Sequence, residues 1–420
     1  MIQSFSLFPG VMLRCFRDSR FKQGALSIQF IRPMDRQEAP LNALIPAVLL
    51  RGCKGAPDLR AITLRLDDLY GASVGPLVRR VGDYQTTGLY SSFIADRYGL
   101  DGDKILASMT DFLRQLLLEP VTQDGVFAKD FVESEKKNLI AAIEAQRNDK
   151  RAYASAQLLR KMCAEDSFGI PRLGEAEQVA GITPEAAYAH YRKILVESPV
   201  ELFYVGEAEP EQVAALMMPV FADVRRNYVN LKAQTAFQSA GGGEFTETLD
   251  VAQGRLAMGF VTPITLRDPD FAAMQVCNTI LGAGMTSKLF MNIREKMSLC
   301  YDIGSGYHGS KGIMVVSAGI DFSKEMVVRQ EVLRQLQAVC NGDITPAELT
   351  SAKQALCSSL RSTHDSPGAI ESYYATAALS GLSMTPGQYL EKVEDITARQ
   401  VSQAAKSLKL DTVFFLKGVR

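Results

Sequence analysis

The chain has 420 residues, 47% hydrophobic and 22% charged, the profile of a folded protein with a substantial interior. Forty-six Lys and Arg against 47 Asp and Glu leave a net charge of −1, so no basic surplus points to nucleic acid or an anionic membrane as the main partner. No apolar run is long enough to span a bilayer, and the length exceeds one ordinary core, so two domains are expected.

Residues 1–20 alternate apolar and polar side chains without the basic start and apolar centre of a signal peptide, and read as strand and hairpin. Strands are predicted over 5–14 and 25–32, then a helical stretch and a Gly- and Tyr-containing hairpin region over 70–93. Ile105, Met109, Phe112, Leu113 and Leu116 follow at i, i+4, i+7, i+8 and i+11, one apolar helical stripe that needs a covering sheet or helix. A helix over 131–144 and a strand over 201–205 complete this half. Residues 232–243 end in Ser239-Ala240-Gly241-Gly242-Gly243. With no Lys-Ser/Thr or helix start behind them, these glycines read as a linker and not a phosphate cradle. Beyond it come strands over 245–249 and 255–261 and a hairpin region over 301–322. A helix opens on the capping box Thr345-Pro346-Ala347-Glu348, and a last strand covers 413–416.

The two halves are copies. Gln23–Pro33 aligns with Gln253–Pro263 at an offset of 230, and Leu113–Leu116 with Leu333–Leu336 at 220. Gly181-Ile182-Thr183 aligns with Asp395-Ile396-Thr397 at 214, and 200–206 with 412–418 at 212. Chance matches would scatter. These keep their order while the offset shrinks, so the second half is a slightly trimmed duplicate. The reading is therefore an α+β fold of two repeats, 1–230 and 245–420, joined by 231–244, each a mostly antiparallel sheet with helices on one face.

Chemistry-bearing motifs are few. The seven cysteines form no CxxC pair and read as reduced thiols of a cytoplasmic protein. The three histidines, His190, His308 and His364, share no metal-ligand spacing and read as isolated side chains. Leu281-Gly282-Ala283-Gly284-Met285-Thr286-Ser287-Lys288 does not have the Gly-Lys-Ser/Thr order of a nucleotide loop.

That glycine turn leads instead into Ser287-Lys288-Leu289-Phe290, Arg294-Glu295-Lys296 and Leu299-Cys300-Tyr301. The block resembles the second half of the metallopeptidase family that contains pitrilysin, insulysin and the mitochondrial processing peptidase. The segments 189–193, 205–211, 169–174 and 131–144 resemble further pieces of that family in the same order. The resemblance implies a substrate-binding pair, Arg294 and Tyr301, seven residues apart. It also implies an inverted zinc motif, H-x-x-E-H, in which two histidines on one helix face bind Zn²⁺ and the glutamate acts as general base.

Here the motif is gone. Aligning the family's Gly-Thr with Gly52-Cys53 puts the ligand positions at Ala43 and Ala47 and the base at Pro46, with the third ligand at Ala142 and Glu135 retained upstream of it. Alanine offers no donor atom, so no zinc is expected in this chain. Pro46 costs roughly 3 kcal/mol inside a helix, so the helix is expected to kink or to begin near it, and its apolar neighbours to serve as core.

The resemblance implies a catalytically silent subunit. It would bind peptide and pair with a zinc-bearing homologue in a heterodimer, with a homodimer left open beside it. A stand-alone peptide-binding or scaffolding protein, and an enzyme of another kind, stay open as alternatives. No Ser-His-Asp or Cys-His arrangement marks the last.

Overall fold

The computed structural model describes residues 2–232 and 236–419. The first part of the chain forms β1 (Ile2–Phe8), β2 (Val11–Arg17), β3 (Gln23–Pro33), α1 (Glu38–Leu49), α2 (Leu59–Asp68), β4 (Ser73–Val81), β5 (Tyr84–Ile94) and α3 (Ile105–Leu118). A short hairpin, β6 (Thr122–Gln123) and β7 (Val126–Phe127), precedes α4 (Lys129–Ala145), α5 (Lys150–Met162), α6 (Ala176–Ala180), α7 (Pro184–Glu197), β8 (Val200–Gly206) and α8 (Pro210–Phe221). The second part forms β9 (Gly243–Leu249), β10 (Gly254–Val261), α9 (Phe271–Leu281), a π-helical stretch Leu289–Lys296, β11 (Cys300–His308) and β12 (Ile313–Ile320). It closes with α10 (Glu325–Cys340), α11 (Pro346–Ser362), α12 (Pro367–Ser380), α13 (Pro386–Asp395), α14 (Ala398–Ala405) and β13 (Lys409–Gly418).

The sheets display the duplication. One runs β1-β2-β8-β3-β5-β4 and the other β11-β12-β10-β13-β9. Each has one parallel pair, β2 with β8 and β9 with β13, among antiparallel neighbours. Strands β2, β8, β3, β5 and β4 thus answer to β9, β13, β10, β12 and β11, and β1 has no counterpart, as a trimmed copy requires. The single strand expected over 5–14 is in fact two. Pro9-Gly10 turns the chain between β1 and β2, with Gly10 at φ +74 and Tyr228 so close that a Cβ would fall 2.5 Å from its ring.

Alternation along β3 separates two environments. Leu26, Ile28 and Phe30 enter a core with Leu44, Ile45 and Val48 of α1 and Phe112, Leu113 and Leu116 of α3. Ser27 and Gln29 point the other way, to Glu371 of α12. On the second sheet Ala257, Phe414 and Leu416 pack with Ala154, Leu158 and Met162 of α5, and a Cβ at Gly259 would sit 2.6 Å from the Met162 sulfur. The α+β layering is as read from sequence, with one addition: each sheet carries a helix on its second face too.

Those two helices are exchanged. One compact unit comprises Met1–Glu144, Pro171–Ala233 and His364–Leu379; the other comprises Ala145–Ile170, Gln234–Thr363 and Ser380–Arg420. The units therefore interleave segments of the two sequence repeats.

Candidate functional site

Helix α1 carries three of the four degenerate zinc positions. It begins at Glu38 and continues through Pro46 to Leu49, so the alternative that it begins near the proline is corrected. Ala43 and Pro46 are buried with Leu44, Ile45, Val48 and Leu49, whereas Ala47 is only half-buried. Ala142, on α4, is exposed. The positions that would carry ligands thus divide between core and surface, and of the apolar neighbours of Pro46 expected in the core, Leu44, Ile45, Val48 and Leu49 are buried while Ala47 and Leu50 are half-buried. Glu135 turns to Arg51, 3.2 Å away, tying α4 to the chain just beyond α1. Among the described residues no group of three or more His, Cys, Asp or Glu could hold a metal ion. Ala43, Ala47 and Ala142 offer zinc no lone pair and Pro46 offers water no base, so these residues do not fit the family's metal centre.

A polar network replaces chemistry beside α1. Gln85 Nε2 donates to the carbonyls of Ala39 and Arg172, which turns its Oε1 toward Asn42 Nδ2 at 2.9 Å. Asn42 Oδ1 then faces His190 Nε2 at 2.8 Å, so that nitrogen carries the proton. Burial pushes His190 down to about 4, aided by Arg32 and Lys193 and opposed by Glu38. It is a neutral, satisfied core histidine.

The other predicted pair does come together. The chain leaves α9 through Gly282, whose Cβ would lie 2.7 Å from Ser305 Oγ and 2.8 Å from Leu289, so only glycine allows the turn to press against β11. The π-helical stretch follows, its wide turn seen in the Met297 N–H donating to the Asn292 carbonyl at 3.0 Å. Ser298, at φ 51, swings the chain into β11. A register shift between Cys300 and Asp302 leaves Tyr301 outside the ladder with β12, and Arg294 Nε donates to its free carbonyl at 2.9 Å. The guanidinium also stacks over Phe290, 4.6 Å from the ring centre, and lies 3.3 Å from Glu295.

The Tyr301 side chain is 60% exposed, and its hydroxyl donates to Asp321 Oδ1 at 3.0 Å. Lys324 holds the other carboxylate oxygen at 3.2 Å. Hydrogen bonds from Lys324 and Tyr301 keep the Asp321 carboxyl below its usual range, and the bond to Asp321 keeps the Tyr301 phenol above its own. Arg294, Glu295, Leu299, Tyr301, Asp321 and Lys324 line a hollow of about 410 Å³. Sequence reasoning missed Asp321 and Lys324. The signal was the hairpin over 301–322, whose pairing sets Cys300 opposite Ile320, so that Tyr301 and Asp321 each lie one residue from that pair.

Comparison with known proteins agrees with the fold. The family model described as "Peptidase M16 inactive domain" matches residues 181–356. A Bacillus subtilis protein described as "Probable inactive metalloprotease YmfF" is 28% identical over 97% of this chain and 96% of its own length. The crystal structure of a conserved protein from Enterococcus faecalis superposes with a TM-score of 0.92 at 27% identity, covering 99% of this chain and 98% of the other. A Pseudomonas fluorescens structure described as a peptidase M16 inactive domain gives 0.82 at 20% identity, over 100% of this chain and 98% of the other. With its duplicated α+β fold and alanines where metal ligands would stand, the chain is similar to inactive homologues of the M16 metallopeptidases.

Proposed function

We propose that this chain is the non-catalytic, substrate-binding subunit of a heteromeric metallopeptidase, with zinc and general base supplied by a homologous partner. The observation that supports it is the exposed hollow around Arg294 and Tyr301, in a chain whose own ligand positions are empty of donors. A protein that no longer cleaves has no need of a peptide contact unless it still holds peptide. A planar guanidinium backed by Phe290, with Nε and Nη1 already fixed, presents its remaining edge in a set direction, as recognition of a backbone carbonyl needs. On this reading both subunits are cytoplasmic.

The test is isolation of the tagged full-length chain from its own host, followed by cleavage assays on whatever complex is recovered. A stoichiometric partner of similar size bearing H-x-x-E-H is expected. Arg294→Ala in the assembled pair is expected to raise KM for peptide while the partner stays bound. Recovery of this chain alone, or only with copies of itself, would overturn the subunit reading in favour of a stand-alone binding protein.

A further inference from the structure

One buried hydroxyl of the first sheet has a proton with nowhere to go. Tyr204, near the end of β8, is 3% exposed, and its oxygen accepts the Ala208 N–H at 3.1 Å. Gly206 presses so close that a Cβ there would fall 2.4 Å from that oxygen. The hydroxyl's own hydrogen meets no acceptor among the described residues. Burial pushes the phenol up to about 12, with Cys15, Glu207 and Asp96 adding to it against the Ala208 bond, so the proton stays in place. A buried donor of this kind needs an acceptor from solution.

Tyr204 lines a hollow of about 360 Å³ that lies wholly within the first compact unit. Here β2, β5 and β8 end, β3 begins, and the chain turns into α3 and α8. The floor is apolar. Phe93 and Leu106 are each 3% exposed, and a Cβ at Gly24 would sit 3.7 Å from the Phe93 ring and 3.8 Å from the Tyr204 ring, so glycine leaves that space open.

The rim carries both signs. Arg17 spends Nε on the Glu207 carbonyl at 3.2 Å and Nη2 on Glu209 at 2.6 Å. Arg97 spends Nε on the Glu207 carboxylate at 3.0 Å and Nη2 on the Ser19 carbonyl at 2.9 Å. Each guanidinium keeps Nη1 for a ligand. Helix α8 starts with no side-chain cap, so the Gln212 N–H in its first turn has no intrahelical partner either. Among the anions, Asp96 gives Oδ1 to the Leu106 N–H at 2.8 Å, and its Oδ2 has no partner among the described residues.

These groups select the ligand. Three carboxylates against two guanidiniums leave the lining at −1, which opposes phosphate or a dicarboxylate. A bare amine would satisfy Asp96 and leave the Tyr204 proton and the α8 terminus unmet. A zwitterion meets both sets. We propose that this hollow binds a free α-amino acid with an apolar side chain: its ammonium on Asp96, its carboxylate on the Tyr204 hydroxyl and the start of α8, and its side chain on Phe93 and Leu106. The site belongs to the first repeat and stands independently of the peptide-binding reading.

The experiment titrates the full-length chain with L-leucine and L-phenylalanine by calorimetry. Three analogues of leucine follow: isoamylamine, which lacks the carboxylate, N-acetyl-leucine, which lacks the ammonium, and the dipeptide Leu-Gly. At least one of the two amino acids is expected to bind saturably, and the analogues of leucine roughly tenfold more weakly than leucine itself. Tyr204→Phe keeps the ring and removes the donor, so it should weaken leucine roughly fivefold and leave isoamylamine unchanged. Asp96→Asn keeps the acceptor for Leu106 and removes the charge, so it should weaken leucine about tenfold and leave N-acetyl-leucine unchanged. Losses that fall equally on the analogue lacking the matching group would reduce both residues to structural roles and overturn the assignment. Leu-Gly bound as tightly as leucine would overturn the free amino acid in favour of a peptide's amino terminus. No saturable binding of either amino acid would overturn the site itself.

Discussion

The Thr87 hydroxyl donates to the main-chain carbonyl of Asn42 at 2.6 Å, and that carbonyl is the one Pro46 deprives of its helical donor. In an uninterrupted helix the N–H of residue 46 would serve it. Both residues are buried, so without Thr87 the oxygen would face no donor at all. A hydroxyl from β5 thus lets α1 run through a proline.

The relationship predicts a coupling. Thr87→Val should destabilise the chain by about 1–3 kcal/mol, because it strands a buried carbonyl. In a Pro46→Ala background the alanine N–H can serve Asn42, so the same valine should cost distinctly less. Urea denaturation of the two single variants and the double variant measures this. Strictly additive losses would show that Thr87 acts through packing alone.

His190 gives the interior a pH dependence. Its folded value of about 4 lies below the ordinary 6.5, so the unfolded chain takes the proton first. Stability is therefore full above about pH 6.5 and lost as pH falls from there toward 4. The expected loss between pH 7 and 5 is about 2 kcal/mol. Glu38, held below its usual range by Lys193 and Arg32 against the cost of burial, adds acid sensitivity only at lower pH. His190→Gln should flatten the profile between pH 7 and 5. An unchanged profile would place the sensitivity elsewhere.

Sequence periodicity carried most of the fold, because a face that must be buried repeats in the sequence. The stripe from Ile105 to Leu116 is buried in α3, and the box at Thr345 caps α11 with Glu348 answering it. The helix exchange was not legible. Glu371 is one carboxylate on a helix of unremarkable pattern, and its partners Ser27, Gln29 and Arg79 lie more than half the chain away. The site was legible in part for the same reason. Arg294 and Tyr301 are near in sequence and carried by a recognisable block, whereas Asp321 reaches Tyr301 only through hairpin register. The residues at 43, 46, 47 and 142 were legible outright, since the lack of a donor atom there is read from the sequence itself.

Glu371 should hold α12 on the first sheet. It is fully buried, accepts from Ser27 and Gln29 at 2.7 Å each, and faces both Arg79 nitrogens, at 3.0 and 2.8 Å. Removing one partner of such a pair leaves an unpaired charge and stranded donors, at a cost of about 3–5 kcal/mol. Glu371→Ala should therefore strip amide-exchange protection from α12 and from β3 and β4 before the second sheet is affected. Arg79→Leu combined with Glu371→Leu should recover much of the loss, since an apolar pair leaves no buried charge. Protection of α12 that survives Glu371→Ala would show that Ile370, Ala375 and Leu379 suffice to hold it.

Zinc should leave this chain indifferent, even after its ligands are written back. A metal present at a hundred times its Kd would stabilise the fold by about 2.7 kcal/mol, enough to raise Tm by a few degrees. Neither zinc nor EDTA is expected to move the Tm of the native chain, because Ala43, Ala47 and Ala142 supply no donor. In a variant carrying Ala43→His, Pro46→Glu, Ala47→His and Ala142→Glu, the new groups meet unequal surroundings. Position 43 is only 6% exposed and would have to accept an imidazole in a packed core, and Pro46 is buried where a carboxylate has no partner waiting. Residue 142 lies on the exposed side of α4. The expected result is a lower Tm that added zinc does not restore, measured by calorimetry with and without the metal. Stoichiometric zinc binding that brings Tm back to the native value would show instead that the family's metal geometry persists beneath the alanines, and that only the side chains were lost.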